Sequence, residues 1–256
     1  MSIDILIEEL SIFILVFCRV VGLIIFNPLF ARSNVPSQVR LGLVLGLTIL
    51  IAQPFTLDDL PNFTDMTFIG IMLLELSFGL VAGYIFQYFY FMLFTAGDII
   101  DMGIGLSMAK AFDPGTNLQV SVSGNIFQIM FIVYFFTTDS HLTLIKLVAL
   151  SYDYIGLGLM SFNGDVIKFM ISLFSTTFLL AIQLVLPFAA ASFTLEMSMG
   201  ILMKLIPQIN VFVINFQFKV LLGIILLFLF ASAISEYLLG HMDTMLKTIV
   251  ELFYIM

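Results

Sequence analysis

Residues 66–96 read MTFIGIMLLELSFGLVAGYIFQYFYFMLFTA, and Glu75 is the only charged side chain in this stretch. A membrane-spanning helix needs about 20 mostly apolar residues. As a single helix the stretch would be about 46 Å long at 1.5 Å per residue, more than a bilayer requires. We therefore predict a membrane helix that packs against other protein along part of its length rather than one sized to the bilayer alone.

The whole chain shares this character. Of its 256 residues, 61% are hydrophobic and 10% are charged, against about 25% charged residues in a typical soluble domain. A soluble fold of this length could not hide so much apolar surface. We therefore predict an all-α membrane protein that lipid or partner helices cover. The formal net charge of -8 argues against nucleic acid or an anionic lipid surface as the main partner, because both require a basic patch.

Apolar stretches recur along the chain and predict about six long apolar helices in hairpins, with residues 142–160 the weakest candidate. The stretches are residues 10–31, 41–55, 66–96, 122–136, 142–160, 166–191 and 211–237. Arg32 and Arg40 in the first break favour a cytoplasmic loop there, which places the N-terminus outside. Acidic residues near the N-terminus replace the basic region of a signal peptide, so we expect the first span to be retained.

Residues 97–121 form the longest break, and they combine several glycines with apolar side chains. Irregular backbone at membrane depth is tolerated where protein buries it or where it lines a water-filled cavity. We therefore predict one membrane domain, residues 1–256, with a plug-like loop at residues 96–121. An exposed connector is the competing interpretation. The candidate plug or pore-lining residues are Met102, Gly103, Gly105, Met108, Phe112 and Gly115.

Ionisable side chains inside membrane helices are costly unless they are paired or hydrated, so each is a functional candidate. For Arg19, Glu75 and Glu236 a structural pair, or a side chain reaching the membrane interface, is the favoured interpretation. Glu196 and Lys204 lie eight residues apart, roughly on one helical face. The candidate polar residues at subunit interfaces are Glu75, Glu196, Lys204, Gln208, Asn210 and Lys219.

Two six-residue segments resemble each other: residues 74–79 read LELSFG and residues 195–200 read LEMSMG. Each places a Glu and a Gly four residues apart, hence on one helical face. The glycine offers a notch where another helix backbone can approach. A chance match in apolar sequence is the alternative to a true repeat.

No catalytic or cofactor-binding constellation is present in the sequence, and we predict neither an enzyme nor a metal site. His141 and His241 lack metal-ligand spacing. Asp98 and Asp101 are interpreted as solvated or helix-capping residues rather than as a catalytic pair. Cys18 is the only cysteine, so an intrachain disulfide is excluded.

An ordered set of short motifs across nearly the whole chain resembles the FliR family, the R subunits of flagellar and virulence type III export gates. The motifs are Arg19-Val20-Val21-Gly22, Asn27-Pro28-Leu29-Phe30, Val35-Pro36, Glu75 with Gly79 and Gly83, Gly97 with Asp101-Met102-Gly103, Asp113-Pro114, Ser140-His141, Pro187, Glu196 with Gly200, and Pro207-Gln208-Ile209-Asn210-Val211-Phe212 with Lys219.

The resemblance implies a subunit that helps to form and seal the channel through which unfolded flagellar proteins cross the bacterial inner membrane. It implies a place in the flagellar basal body beside five P and four Q subunits and other export-apparatus membrane proteins. It also implies that the loop after Gly97 is the pore plug. A secondary solute transporter, built from weak internal repeats around a midplane site, is the alternative.

Overall fold

The structure is a computed structural model that describes residues 3–30, 35–56, 65–107, 121–160, 164–206 and 211–256. Within these ranges the chain is helical and contains no β-strand, which confirms the prediction of an all-α membrane protein. The described part holds eight helices: α1 (Ile3–Phe26), α2 (Ser37–Ala52), α3 (Asp65–Gly103), α4 (Val122–Thr137), α5 (Ser140–Tyr154), α6 (Gly164–Leu205), α7 (Val211–Leu229) and α8 (Ala231–Ile255).

Three of the described helices, α1, α3 and α6, are long and apolar enough to cross a membrane. The number rises to five if the bent pairs α4–α5 and α7–α8 each count as one span. The 16-residue α2 is short of the roughly 20 residues that a span needs. The prediction of about six long helices therefore agrees roughly with the described part of the chain.

Helix α3 continues to Gly103, so residues 97–103 are helical and the prediction that they belong to a loop is wrong. Gly97 is a packing residue instead. A Cβ atom built on Gly97 would lie 2.1 Å from the amide nitrogen of Gly124 in α4. Glycine at a helix crossing lets two backbones approach closely, and its presence inside a helix costs only about 1 kcal/mol. A turn follows at residues 104–106.

Helix α6 passes through Pro187 and reaches 42 residues, although the apolar stretch predicted there ended at residue 191. Proline removes the backbone hydrogen bond to the carbonyl of residue 183 without ending this helix, a tolerance known from membrane helices. The predicted stretch 211–237 is divided instead, because α7 and α8 are bent by 64° at a break. Helix α8 continues beyond residue 237, and an ion pair between Lys247 and Asp243 supports that added length.

The chain groups into two compact units. Unit 1 comprises Met1–Phe89, Phe135–Phe174 and Asp243–Met256, and unit 2 comprises Tyr90–Tyr134 and Ser175–Met242. Each unit has an aromatic core. Phe86 and Phe135 meet edge to face in unit 1, with ring centroids 5.3 Å apart, whereas Phe188 meets Phe230 in unit 2. The prediction of a single membrane domain stays a prediction.

Candidate functional site

A buried ion pair joins α1 to α3 in unit 1. Arg19 Nε donates to Glu75 Oε2 over 2.6 Å, and Arg19 Nη2 donates to Glu75 Oε1 over 3.1 Å. The side chains of both residues are almost fully buried, at 1% and 0% exposure. The fork of the guanidinium thus meets both carboxylate oxygens, the strongest arrangement for such a pair.

Helix α5 and the turn after it complete the surroundings of this pair. Arg19 Nη1 donates to the Ser151 hydroxyl over 2.8 Å, and the Gly158 amide donates to Glu75 Oε1 over 2.9 Å. The guanidinium carbon lies 3.7 Å from the centre of the Tyr152 ring, a favourable cation–π distance. Both charges are therefore compensated within the chain. Glu75 is fully buried in unit 1 and presents no surface to a partner subunit.

The crossing of α1 and α3 at this pair depends on glycine. A Cβ atom on Gly79 would lie 2.0 Å from the carbonyl oxygen of Arg19, and one on Gly22 would lie 2.5 Å from that of Leu76. A Cβ atom on Gly83 would likewise lie 2.6 Å from the carbonyl oxygen of Leu23. Real Cβ atoms essentially never lie this close to another heavy atom. The glycines therefore set the backbone separation at which the ion pair of Arg19 can form.

A second buried carboxylate, Asp101, caps the first turn of α4 in unit 2. Its oxygens accept hydrogen bonds from the Ser121 hydroxyl at 2.7 Å, from the Val122 amide at 2.6 Å and from the Ser123 hydroxyl at 2.5 Å. The Ser123 amide adds a longer contact of 3.3 Å. Helix amides at an N-terminus lack partners within the helix, and the local dipole favours a negative charge. The helix-capping interpretation of Asp101 is therefore confirmed.

Replacing Asp101 with alanine is expected to lower the free energy of unfolding by about 3 kcal/mol, because several buried donors lose a charged acceptor. Asp101→Asn keeps one acceptor oxygen and should lose clearly less. Denaturant unfolding in detergent micelles measures both. Hydrogen exchange at the amides of Val122 and Ser123 should speed up in the alanine variant. Unchanged exchange there would contradict the capping role.

An exposed ion pair joins Glu196 in α6 to Lys219 in α7 at the surface of unit 2. The Lys219 ammonium donates to Glu196 Oε1, and the two side chains are 51% exposed for Glu196 and 16% exposed for Lys219. Lys204 is also exposed on α6. Gly200 stands midway between Glu196 and Lys204. Among the described residues, no atom outside the backbone of its own helix lies within 4 Å of the place where its Cβ would be.

A cavity of about 290 Å³ in unit 2 lies between the end of α3 and the neighbouring turns of α6. Gly103, Ala189 and Ser192 supply its small lining residues, and Phe188 and Phe193 supply aromatic ones. Glu196 also lines it. The Ser192 hydroxyl donates to the carbonyl of Gly103 over 2.7 Å, which fastens the end of α3 to α6.

The candidate plug residues are only partly described. Met102 is 61% exposed in the last turn of α3. Gly105 adopts a φ of +82°, a left-handed conformation that favours glycine. Met108, Phe112 and Gly115 lie outside the described residues, as do the interface candidates Gln208 and Asn210.

The partners of Asp101 and Glu196 were not predicted from the sequence, although the sequence contains an indication of each contact. Ser121 stands directly before the apolar run of α4 and is a typical N-cap residue. The midpoint between positions 196 and 219 falls at the Pro207-Gln208 break, so a helical hairpin turning there would bring Glu196 to Lys219. Neither signal specifies by itself which acid or base completes the contact.

The model of the family "Bacterial export proteins, family 1" matches residues 10–245. The chain is 28% identical over 236 residues to the flagellar biosynthetic protein FliR of Escherichia coli (strain K12), covering 91% of this chain and 90% of that protein. It is 28% identical over 233 residues to FliR of Bacillus subtilis (strain 168), covering 90% and 89%.

The chain is also 26% identical over 244 residues to the Yop proteins translocation protein T of Yersinia pestis, covering 91% of each protein. The family match spans most of the chain and all three described clusters, and it confirms the resemblance seen in the sequence motifs. The prediction that the chain is not an enzyme agrees with membership in a family of export proteins. The chain therefore belongs to the bacterial export proteins, family 1, the family of the flagellar FliR proteins and their type III secretion relatives.

Proposed function

We propose that this chain is a subunit of the flagellar type III protein export gate in the bacterial inner membrane, within the flagellar basal body. It helps to form and seal the channel that carries unfolded flagellar proteins, beside P and Q subunits in a ratio of one to five to four. The observation that carries the proposal is the family match over residues 10–245. Relatives named FliR favour the flagellar system over the virulence system.

The exposed surface of each unit supports a role inside an assembly. Large apolar side chains are exposed in unit 1, as at Met66 (83%), and in unit 2, as at Phe228 (86%). Lipid could cover such side chains, but it could not cover the exposed charges of Glu196 and Lys204 without a cost of about 2.5–3.5 kcal/mol for each charge at mid-membrane. Partner subunits or a water-filled lumen would accommodate both kinds of surface.

The segment from residue 102 to residue 120 is proposed to close the channel at rest. Met102 and Gly105 precede the part outside the described residues, and Asp101 holds Ser121 at its other end. The two residues that flank the segment, Asp101 and Ser121, are therefore joined by a hydrogen bond to one buried carboxylate. Methionine side chains adapt to irregular gaps, and an apolar constriction can block ions by excluding water.

Deleting residues 105–115 from the assembled complex is expected to raise its ion conductance and to leave its composition unchanged, because the seal is lost while the Asp101 cap remains. Planar-bilayer recordings of the purified complex measure the conductance. A second variant replaces the same residues with a Gly-Ser segment of equal length. It keeps the length of the segment and removes the apolar side chains, so it should also leak if those side chains form the seal. Normal assembly with no added leak in either variant would support an exposed connector instead.

The solute-transporter alternative has less support in the described structure. Glu75 is fully buried, and the cavity beside its ion pair has a volume of about 10 Å³, roughly the room that one water molecule needs. A solute bound at Glu75 would need a larger cavity than this one, and the oxygens of Glu75 already accept hydrogen bonds from Arg19 and Gly158. Glu196, the second carboxylate of the repeated segment, lies at the surface instead.

A further inference from the structure

Unit 1 contains an apolar cavity of about 200 Å³ between α1, α2, the end of α4 and the first turns of α5. Its lining is apolar apart from His141. An apolar cavity of about 150 Å³ can stay dry and bind benzene, so this one has room for a length of hydrocarbon. Phe136 and Ile145 belong to the lining and are 50% and 38% exposed, which means that the cavity opens at the surface of the unit. The aliphatic lining includes Val20, Ile24, Leu43, Leu47, Ile51 and Leu144.

A cation lies at one end of this cavity. Arg40 precedes Leu43 by one turn of α2, and the spacing of residues 40, 43 and 47 places all three on one face of the helix. Arg40 is half-buried, and its Nε atom is buried without a hydrogen-bond partner among the described residues. The ion pairs of the described part of the chain do not include Arg40. Its charge is therefore available to a bound anion.

A second donor lies at the same end of the α1–α2 pair. Asn27 follows α1 one turn after Ile24, and its backbone amide donates to the carbonyl of Ile24 over 3.3 Å. The side chain is fully buried. Its Oδ1 accepts from the Leu29 amide over 3.0 Å, whereas its Nδ2 has no partner within the described ranges. Asn27 ends the face of α1 that carries Ile24, and Arg40 begins the face of α2 that carries Leu43, so both donors stand where the chain passes from one helix to the other.

We propose that this cavity, here called the α1–α2 cavity, binds one acyl chain of an anionic phospholipid whose phosphate lies at Arg40 and Asn27. The hydrocarbon contacts the apolar lining, and the phosphate oxygens accept hydrogen bonds from the guanidinium and the amide. Basic pockets at the ends of membrane helices are suited to lipid headgroups, because the lipid phosphates lie at that level. A single bound lipid needs one local cation rather than a basic surface, so the net charge of -8 does not oppose it. The site requires only that unit 1 lies in a membrane, and its failure would leave the proposed function untouched.

A phospholipid fits the α1–α2 cavity better than a helix of another protein does. A helix with its side chains is about 10–12 Å across, so a single turn of 5.4 Å occupies roughly 400 Å³, about twice the volume of the cavity. An acyl chain is a single row of methylene groups and needs much less width. One apolar side chain of a partner would enter the cavity but would leave the charge of Arg40 unpaired. A lipid supplies both the hydrocarbon and the anion.

Photolabelling with lipid probes tests the proposal. Membranes from cells that express the complete chain are fused with vesicles containing phosphatidylglycerol that carries a diazirine on one acyl chain, and the labelled residues are identified by mass spectrometry. Phosphatidylcholine with the same diazirine chain is the comparison probe. Labelling at Leu43, Leu47 or Leu144 should be about fivefold higher with phosphatidylglycerol, the difference expected for one basic residue near an anionic lipid. Equal labelling by the two probes would contradict the phosphate site. No labelling of these residues by either probe would mean that protein covers the cavity, and would overturn the proposal.

Two pairs of variants test the headgroup and the cavity separately. Arg40→Gln should remove the preference for phosphatidylglycerol, whereas Arg40→Lys, which keeps the charge, should retain most of it. Leu47→Trp fills the cavity and should abolish labelling at Leu144. Ile49→Trp is the matched control, because Ile49 lies on the opposite side of α2 from Leu47 and is 54% exposed.

The Arg40 variants change no side chain that lines the cavity, so they test the site independently of any effect of tryptophan on packing. An unchanged preference in Arg40→Gln would overturn the assignment of the phosphate to Arg40. Equal loss of labelling in Leu47→Trp and Ile49→Trp would show that the label does not come from the α1–α2 cavity.

Discussion

Replacing Gly79 with alanine is expected to destabilise the protein by at least about 3 kcal/mol, the upper end of the usual cost of overpacking. The added Cβ would lie 2.0 Å from the carbonyl oxygen of Arg19 and 2.9 Å from the amide nitrogen of Leu23. Both contacts are backbone atoms, so no side chain can move aside. Helices α1 and α3 would have to separate, which would also pull Arg19 away from Glu75.

Gly70→Ala provides the matched control, because Gly70 lies in the same helix and, in the part of the chain that the structure describes, no atom outside the helix backbone lies within 4 Å of its Cβ position. Alanine has the higher helix propensity, so this variant should be neutral or more stable by up to about 1 kcal/mol. Unfolding by sodium dodecyl sulfate in mixed micelles measures both variants. Similar stability of the Gly79 and Gly70 variants would show that the close crossing of α1 and α3 is not required.

Replacing Glu75 with alanine is expected to cost about 3–5 kcal/mol, because the Arg19 guanidinium would remain buried without its counter-charge. The Gly158 amide would lose its acceptor as well. Such a loss is a large share of the roughly 5–15 kcal/mol that stabilises a typical protein. In the same assay, this variant should unfold at a much lower mole fraction of sodium dodecyl sulfate than the unsubstituted protein.

The double variant Arg19→Met with Glu75→Leu separates the cost of an unpaired charge from the value of the pair itself. Replacing both partners with apolar residues of similar volume is often nearly neutral. We therefore expect the double variant to regain most of the stability lost by Glu75→Ala. A double variant as unstable as the single one would show that the hydrogen bonds to Ser151 and Gly158 matter more than the charge compensation.

The helical class could be predicted because long apolar runs have few alternatives in a membrane, where backbone groups must be satisfied within the helix. The stretch 66–96 lies entirely within α3. The boundaries were harder to predict, because glycine and proline normally mark breaks. Gly97 lies at a close crossing with Gly124, and Pro187 lies within α6. At Gly97, packing against the neighbouring helix decides the outcome, and a single sequence does not contain that information.

The contacts of the polar side chains could likewise be predicted only in part from the sequence. A structural pair was the favoured interpretation of Arg19 and Glu75, and the two residues do bind each other. Their pairing depends on the approach of α1 to Gly79, a contact between residues about 60 positions apart. Helical spacing predicts that Glu196 and Lys204 share a face, whereas it does not predict the contact of Glu196 with Lys219 on the next helix. Contacts within a helix follow from spacing, whereas contacts between helices require the fold.

Native mass spectrometry of the chain co-expressed with the P and Q subunits of the same organism tests the central claim most directly. The account predicts a complex with one copy of this chain, five P subunits and four Q subunits. It also predicts that the chain expressed alone does not support transport in liposomes. A well-behaved free monomer or homo-oligomer, recovered without P and Q and active in transport alone, would contradict the account.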